Sequence, residues 1–234
     1  GTEYWIGETL VFNKLNAVEF QNKSKSTDNA LGELYIPTGY SRLEGQAISS
    51  VLASVIKPWF YDQLRTEEQL GYAVFAYQGT MGEQSGIGFL LQSNAKSPVY
   101  LNERYNAFYL QAYERLKKMN EADFNQYKQA IITEVKQPPQ TFYEEVSLYR
   151  NDFHRNNLKY DGREKFLAEL NKVTLKQAIE FYEKAIIKPN GFIFVSQVIG
   201  KDGTDADYAE NKQWKRYTTV SELQKTLPVE EIKE

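Results

Sequence analysis

The sequence predicts an α+β fold in which helices pack on one face of a largely antiparallel sheet. Three observations carry this. Short apolar runs with strand-like alternation recur at 30–36, 72–77, 87–92 and 192–199. Apolar stripes at three- and four-residue spacing occupy 41–64 and most of 101–188. The order is strands, one helix, two strands, a run of helices, then a strand, which segregates helices from strands.

The elements follow in order. Residues 4–13 and 16–21 read as strands joined by a short turn, and the polar stretch Lys23–Asn29 as a loop. Residues 30–36 form a strand stopped by Pro37 and Gly39. From Ser41 the period becomes helical, with Ile48, Val51, Leu52, Val55, Ile56, Trp59 and Phe60 on one stripe. Pro58 is expected to kink or restart that helix, and Leu64 closes the stripe. Tyr72–Tyr77 and Ile87–Gln92 are paired strands across a glycine-containing loop, Gly79–Gly86. Leu101, Tyr105, Phe108, Ala112, Leu116 and Met119 mark the next helix, and Phe124, Tyr127, Ile131 and Val135 the one after it. Asn120 with Asp123, Thr141 with Glu144, Asp161 with Glu164 and Thr174 with Gln177 are helix-start signals. Phe142, Val146, Tyr149 and Phe153 line one face of the helix that begins at Thr141. Asn190-Gly191 turns into the last strand, Phe192–Ile199.

Beyond Gly200 the chain is Asp- and Gly-rich, with Trp214, Tyr217 and a short helical pattern near Ser221–Leu227, and is expected to pack loosely. No linker composition interrupts residues 4–199, so residues 1–234 read as one domain with its core at about 4–199 and a tail at 200–234.

Composition excludes several functions. Hydrophobic residues make up 41% and charged residues 25%, enough to bury a full core. A net charge of −3 provides no basic field for nucleic acid. No apolar run approaches the roughly 18 residues that span a membrane, and the first residues carry no signal-like pattern. Without cysteine there is no disulfide, thiol catalysis or thiolate zinc site. One histidine, His154, rules out a multi-histidine metal site within this chain and reads as a solvated or capping residue at a helix end. The 17 tyrosines and 13 phenylalanines suit either a broad amphipathic surface or an aromatic core with a tyrosine rim.

Glu67 and Glu68 are neighbours in sequence with no apolar pocket in view, which fits a solvated turn better than an acid/base pair. Arg65 and Tyr72 stand apart. One is a permanently charged planar fork of donors, the other a hydroxyl that is protonated at neutral pH. Brought together by the turn between them, they would suit a peptide carbonyl or a developing oxyanion. Equally, Arg65 could cap the preceding helix and Tyr72 could pack on the sheet. Spacing alone does not separate these readings.

Pro58-Trp59-Phe60, Leu64-Arg65-Thr66-Glu67-Glu68-Gln69-Leu70-Gly71-Tyr72 and Gly88-Phe89-Leu90-Leu91-Gln92-Ser93 closely resemble the C-terminal domain of the pitrilysin/insulysin family of zinc metallopeptidases. The likeness continues through Thr141, Glu144-Glu145-Val146-Ser147 and Asp152-Phe153, and covers nearly the whole chain. The resemblance implies the last domain of a four-domain clamshell that encloses peptides. It implies that zinc, its inverted His-x-x-Glu-His ligands and the glutamate base belong to the first domain. The last domain of that family contributes an arginine and a tyrosine to substrate, which by motif match are Arg65 and Tyr72. Implied partners are the N-terminal domains of the same polypeptide and peptide substrates, with no nucleic acid or membrane, and the implied location is the periplasm. The chain alone is then expected to hold no zinc and to hydrolyse nothing. The competing expectations are a purely structural chamber wall and a free-standing peptide-binding module.

Overall fold

A computed structural model of the chain describes residues 8–10, 15–155, 157–211, 214–217, 219, 221, 222, 225 and 229–231. Strands β2 (Asn16–Lys23) and β3 (Asn29–Ile36) precede helix α1 (Arg42–Tyr61). The hairpin β4 (Ala73–Met81) and β5 (Gln84–Ser93) follows. Five helices come next: α2 (Pro98–Lys118), α3 (Glu121–Lys136), α4 (Phe142–His154), α5 (Gly162–Lys172) and α6 (Leu175–Tyr182). Strand β6 (Phe192–Ile199) returns to the sheet and β7 (Lys215–Tyr217) extends it. The order across the sheet is β4-β5-β3-β6-β2-β7. The pairs from β4 to β6 are antiparallel, and β2 runs parallel to both β6 and β7. The predicted fold class is the observed one.

The helices cover one face. Val51, Leu52, Val55, Ile56 and Phe60 of α1 meet Val74, Ala76, Ile87, Phe89 and Leu91 of the hairpin in one buried cluster. Much of the tyrosine content is spent here. Tyr105 donates to the Leu31 carbonyl at 3.0 Å and Tyr182 to the Tyr109 carbonyl at 3.0 Å, so each buried ring keeps a partner for its hydroxyl. The opposite face carries a smaller cluster of Val18, Leu34, Ile36, Phe192 and Tyr217.

Several expectations need correction. Helix α1 continues through Pro58 to Tyr61, so it does not restart there, although Pro58 supplies no N–H to the helix. The change comes one turn later, where Asp62–Glu67 widen into a π-helical turn. The stretch 79–86 is not a loop: β4 and β5 continue to a two-residue turn at Gly82 and Glu83, with Gly82 at φ 59° as such hairpins require. Asp161 precedes α5 as expected but makes no capping bond, and the Gly162 N–H is taken by the Asp152 carboxylate at 3.1 Å. The segment after Gly200 does not pack loosely throughout, since Tyr208, Ala209 and Tyr217 are buried. Strand β1 (Glu8–Leu10) pairs with β8 (Val229–Glu231) apart from the main sheet. The rest of the predicted strand 4–13, and most of the helical pattern near Ser221–Leu227, lie outside the described residues. The stripe on α4 has the predicted period, yet Phe142, Tyr149 and Phe153 face solvent.

Candidate functional site

The turn that joins α1 to β4 is fastened at four points. Leu64 and Leu70 are buried in the core, and the Leu70 N–H donates to the Leu64 carbonyl at 2.9 Å. The Glu68 N–H donates to the Gln63 carbonyl at 2.9 Å, the five-residue spacing of a π turn. Arg104 of α2 grips the Glu68 carboxylate with two hydrogen bonds, Nε to Oε2 at 2.7 Å and Nη2 to Oε1 at 2.8 Å. That guanidinium holds the Glu68 carboxyl below its usual range, so Glu68 is a tether and not the solvated carboxylate its sequence position predicts. Gly71 closes the turn by lying flat against β5: a Cβ there would sit 2.0 Å from the Gln92 carbonyl oxygen. Gln69 takes the left-handed conformation at φ 53° to make that approach.

Arg65 and Tyr72 occupy the two ends of this pinned turn. Arg65 is half-buried and forms no hydrogen bond or ion pair with any described residue, so it does not cap α1. Tyr72 is 52% exposed, which sets aside the sheet-packing role for its ring. Its N–H donates to the Gln92 carbonyl at 3.1 Å, and its hydroxyl donates to Asp28 Oδ2 at 3.1 Å. Incomplete hydration and then the Asp28 carboxylate push the phenol above its ordinary value, leaving it a donor at neutral pH. The two side chains are not hydrogen-bonded to each other.

Two participants were not legible in the sequence. Asp28 lies 44 residues from Tyr72 in a loop whose only signal was polarity. Arg104 is a half-buried position on an ordinary amphipathic helix, 36 residues from Glu68. Trp59 is buried beneath Arg115, whose Cζ stands 4.1 Å from the ring centroid, so it offers no aromatic surface. His154 is the last residue of α4. Among the described residues no group of three or more His, Cys, Asp or Glu side chains is placed to hold a metal ion.

The architecture and the turn are those of an accessory lobe: residues 51–150 match the family model described as PQQ synthase PqqF-like, C-terminal lobe domain 4. Protease 3 of Escherichia coli strain K12 is 42% identical over 229 residues, covering 98% of this chain and 24% of that protein. The crystal structure of pitrilysin superposes with a TM-score of 0.94 at 42% identity, covering 100% of this chain and 25% of that one. The chain belongs to the pitrilysin family and corresponds to the C-terminal part of its members. It spans about a quarter of the length of the curated relatives it matches. The periplasmic protease PqqL from Escherichia coli covers 80% of this chain and 21% of its own at a TM-score of 0.57, and at 11% identity it shows a shared fold alone.

Proposed function

We propose that residues 1–234 form the single C-terminal domain of a zinc-dependent endopeptidase that encloses and cleaves peptides, and that Arg65 and Tyr72 serve the substrate. The observation that carries this is the exposed, protonated Tyr72 hydroxyl at the head of a rigid turn whose other end holds an unpaired guanidinium. Donors fixed before the reaction stabilise negative charge as it develops on a peptide carbonyl oxygen, without reorganisation at that moment. Arg65 supplies charge and a fork of N–H groups, and Tyr72 supplies one O–H. A hydroxyl donates a single proton at a time, so the Tyr72 O–H must turn from Asp28 to the substrate oxygen as substrate binds, before charge develops there.

Zinc does not fit this chain. It has one histidine, no cysteine and no cluster of ligating side chains among the described residues, so no step here runs through the metal. The metal, its ligands and the base are assigned to the N-terminal domains of the same polypeptide, with peptides as substrates. The periplasm is the proposed location, in keeping with PqqL, a periplasmic protease that shares the fold.

The Tyr72–Asp28 bond also favours a second reading, in which the tyrosine is an internal tie and the domain only walls the chamber. Tyr72→Phe in the full-length enzyme separates the two, because it keeps the ring and removes the donor. A loss on the order of 10²- to 10³-fold in kcat with unchanged zinc content is expected. Turnover at the wild-type rate rules out the catalytic role of Tyr72 and favours the chamber-wall reading.

A further inference from the structure

Strand β4 is the outer strand of the six-stranded sheet. It pairs with β5 along its whole length, from Ala73 opposite Gln92 to Met81 opposite Gln84, and with no described residue on its other side. Edge strands of this kind are ordinarily blunted, by shortness, by charge, by proline or by a bulge. The opposite edge obeys: β7 has three residues, and two of them are Lys215 and Arg216. β4 does not. It is nine residues long, its register is unbroken, and Ala-Val-Phe-Ala-Tyr-Gln-Gly-Thr-Met contains neither a charge nor a proline.

Val74 and Ala76 are buried in the core beneath the helices, at 2% and 3% exposure, while Phe75 and Tyr77 stand on the other face at 51% and 43%. The free edge therefore presents alternating backbone donors and acceptors beside two aromatic rings two residues apart. Only another extended polypeptide backbone matches such a row. The strand begins one residue after Tyr72.

We propose that the free edge of β4 binds the peptide substrate as an added strand running away from Tyr72, with Phe75 and Tyr77 against alternate apolar side chains of that peptide. This rests on the reading of Tyr72 as a substrate contact, because the continuity from Tyr72 is what assigns the edge to substrate. At about 3.3 Å per residue, nine residues make an edge about 30 Å long, so the contribution grows with peptide length.

The test uses the full-length enzyme and two peptides sharing one scissile bond, the longer extended by about eight residues to cover the edge. Phe75→Lys places a charge where natural edges carry one, at an exposed position that tolerates it. The expected result is a rise in KM of about tenfold for the long peptide, the loss of a few main-chain hydrogen bonds, with kcat and the short peptide unaffected. Thr80→Lys, near the far end of the strand and also exposed, should repeat that selectivity. The backbone itself is probed by N-methylating alternate amides of the long peptide, which should weaken its binding to wild type and add nothing in Phe75→Lys. Equal effects on both peptides, or no effect on either, overturn the proposal. So does a change in oligomeric mass or in zinc retention, which would show that a second copy or another part of the polypeptide already covers the edge. Tyr72→Phe is measured in parallel: if its kcat is normal while Phe75→Lys still discriminates by length, the role of Tyr72 fails and the edge stands.

Discussion

At the scale of single residues, the most costly placement in the core is Glu33. It sits 2% exposed on β3, and one of its oxygens accepts from both Tyr35 and Tyr109 hydroxyls at 2.6 Å. Its other oxygen, Oε1, has no partner among the described residues. Burial raises its pKa from the ordinary 4.5, against the pull of the two tyrosines. The folded chain therefore favours the protonated carboxyl. The stability it contributes is full below 4.5 and is lost as pH rises from there through the raised folded value. Glu68 has the opposite sign: Arg104 depresses it, and its contribution is lost as pH falls. Melting temperatures of wild type and Glu33→Gln across pH 4 to 8, about the span where a raised carboxyl changes charge, isolate the first effect. The variant should gain on wild type steadily as pH rises. A difference that stays flat with pH would show that folding does not raise the Glu33 pKa.

Among elements, the α1–β4 turn shows what a sequence discloses and what it withholds. Arg65 and Tyr72 stand out in the sequence as a fork donor and a phenol in one polar stretch, but their spacing assigns them no role, and only the motif resemblance points to substrate. The helix starts at Asn120, Thr141 and Thr174 were legible because each cap is made within three residues, to Asp123, Glu144 and Gln177. The π widening was not, since its i to i+5 bonds follow from how Leu64 and Leu70 are drawn into the core and not from any local pattern. The extent of the hairpin was missed for a related reason. Gly79 and Gly86 read as loop residues, but they are strand positions that leave room for neighbours: a Cβ at Gly79 would lie 2.6 Å from Leu34 Cδ1. Gly71→Ala tests this logic at the site. Its Cβ would meet the Gln92 carbonyl oxygen and, at 2.8 Å, Leu91 Cδ2, and a backbone carbonyl cannot step aside cheaply. The expected cost is about 1–3 kcal/mol of stability, as for other overpacking substitutions. On the role proposed for Tyr72, kcat of the full-length enzyme should fall as well, because the strain displaces that side chain. A stable variant with full activity would mean that the turn is not held by this contact.

At the scale of the whole molecule, stability and surface are unevenly shared. The two clusters that sandwich the sheet draw on α1, α2, α3, α5 and α6, whereas none of the described side chains of α4 is buried. Phe142 and Val146 are 83% and 41% exposed on its apolar face. Periodicity identified that face correctly but carries no information about what lies against it, and the chain spans only about a quarter of its relatives' length. If α4 contributes nothing to either core, removing its apolar side chains should leave the folding of the 234-residue chain unchanged. Phe142→Ser with Val146→Ser is then expected to shift the free energy of urea unfolding by no more than about 0.5 kcal/mol, the scale of ordinary surface changes. Phe124→Ala is the counterpart, since its ring is fully buried beneath α3. Its loss should lower stability by about 3–5 kcal/mol, through lost burial and the cavity left behind. Comparable losses in the two variants would place α4 within the cooperative core and contradict its exposure.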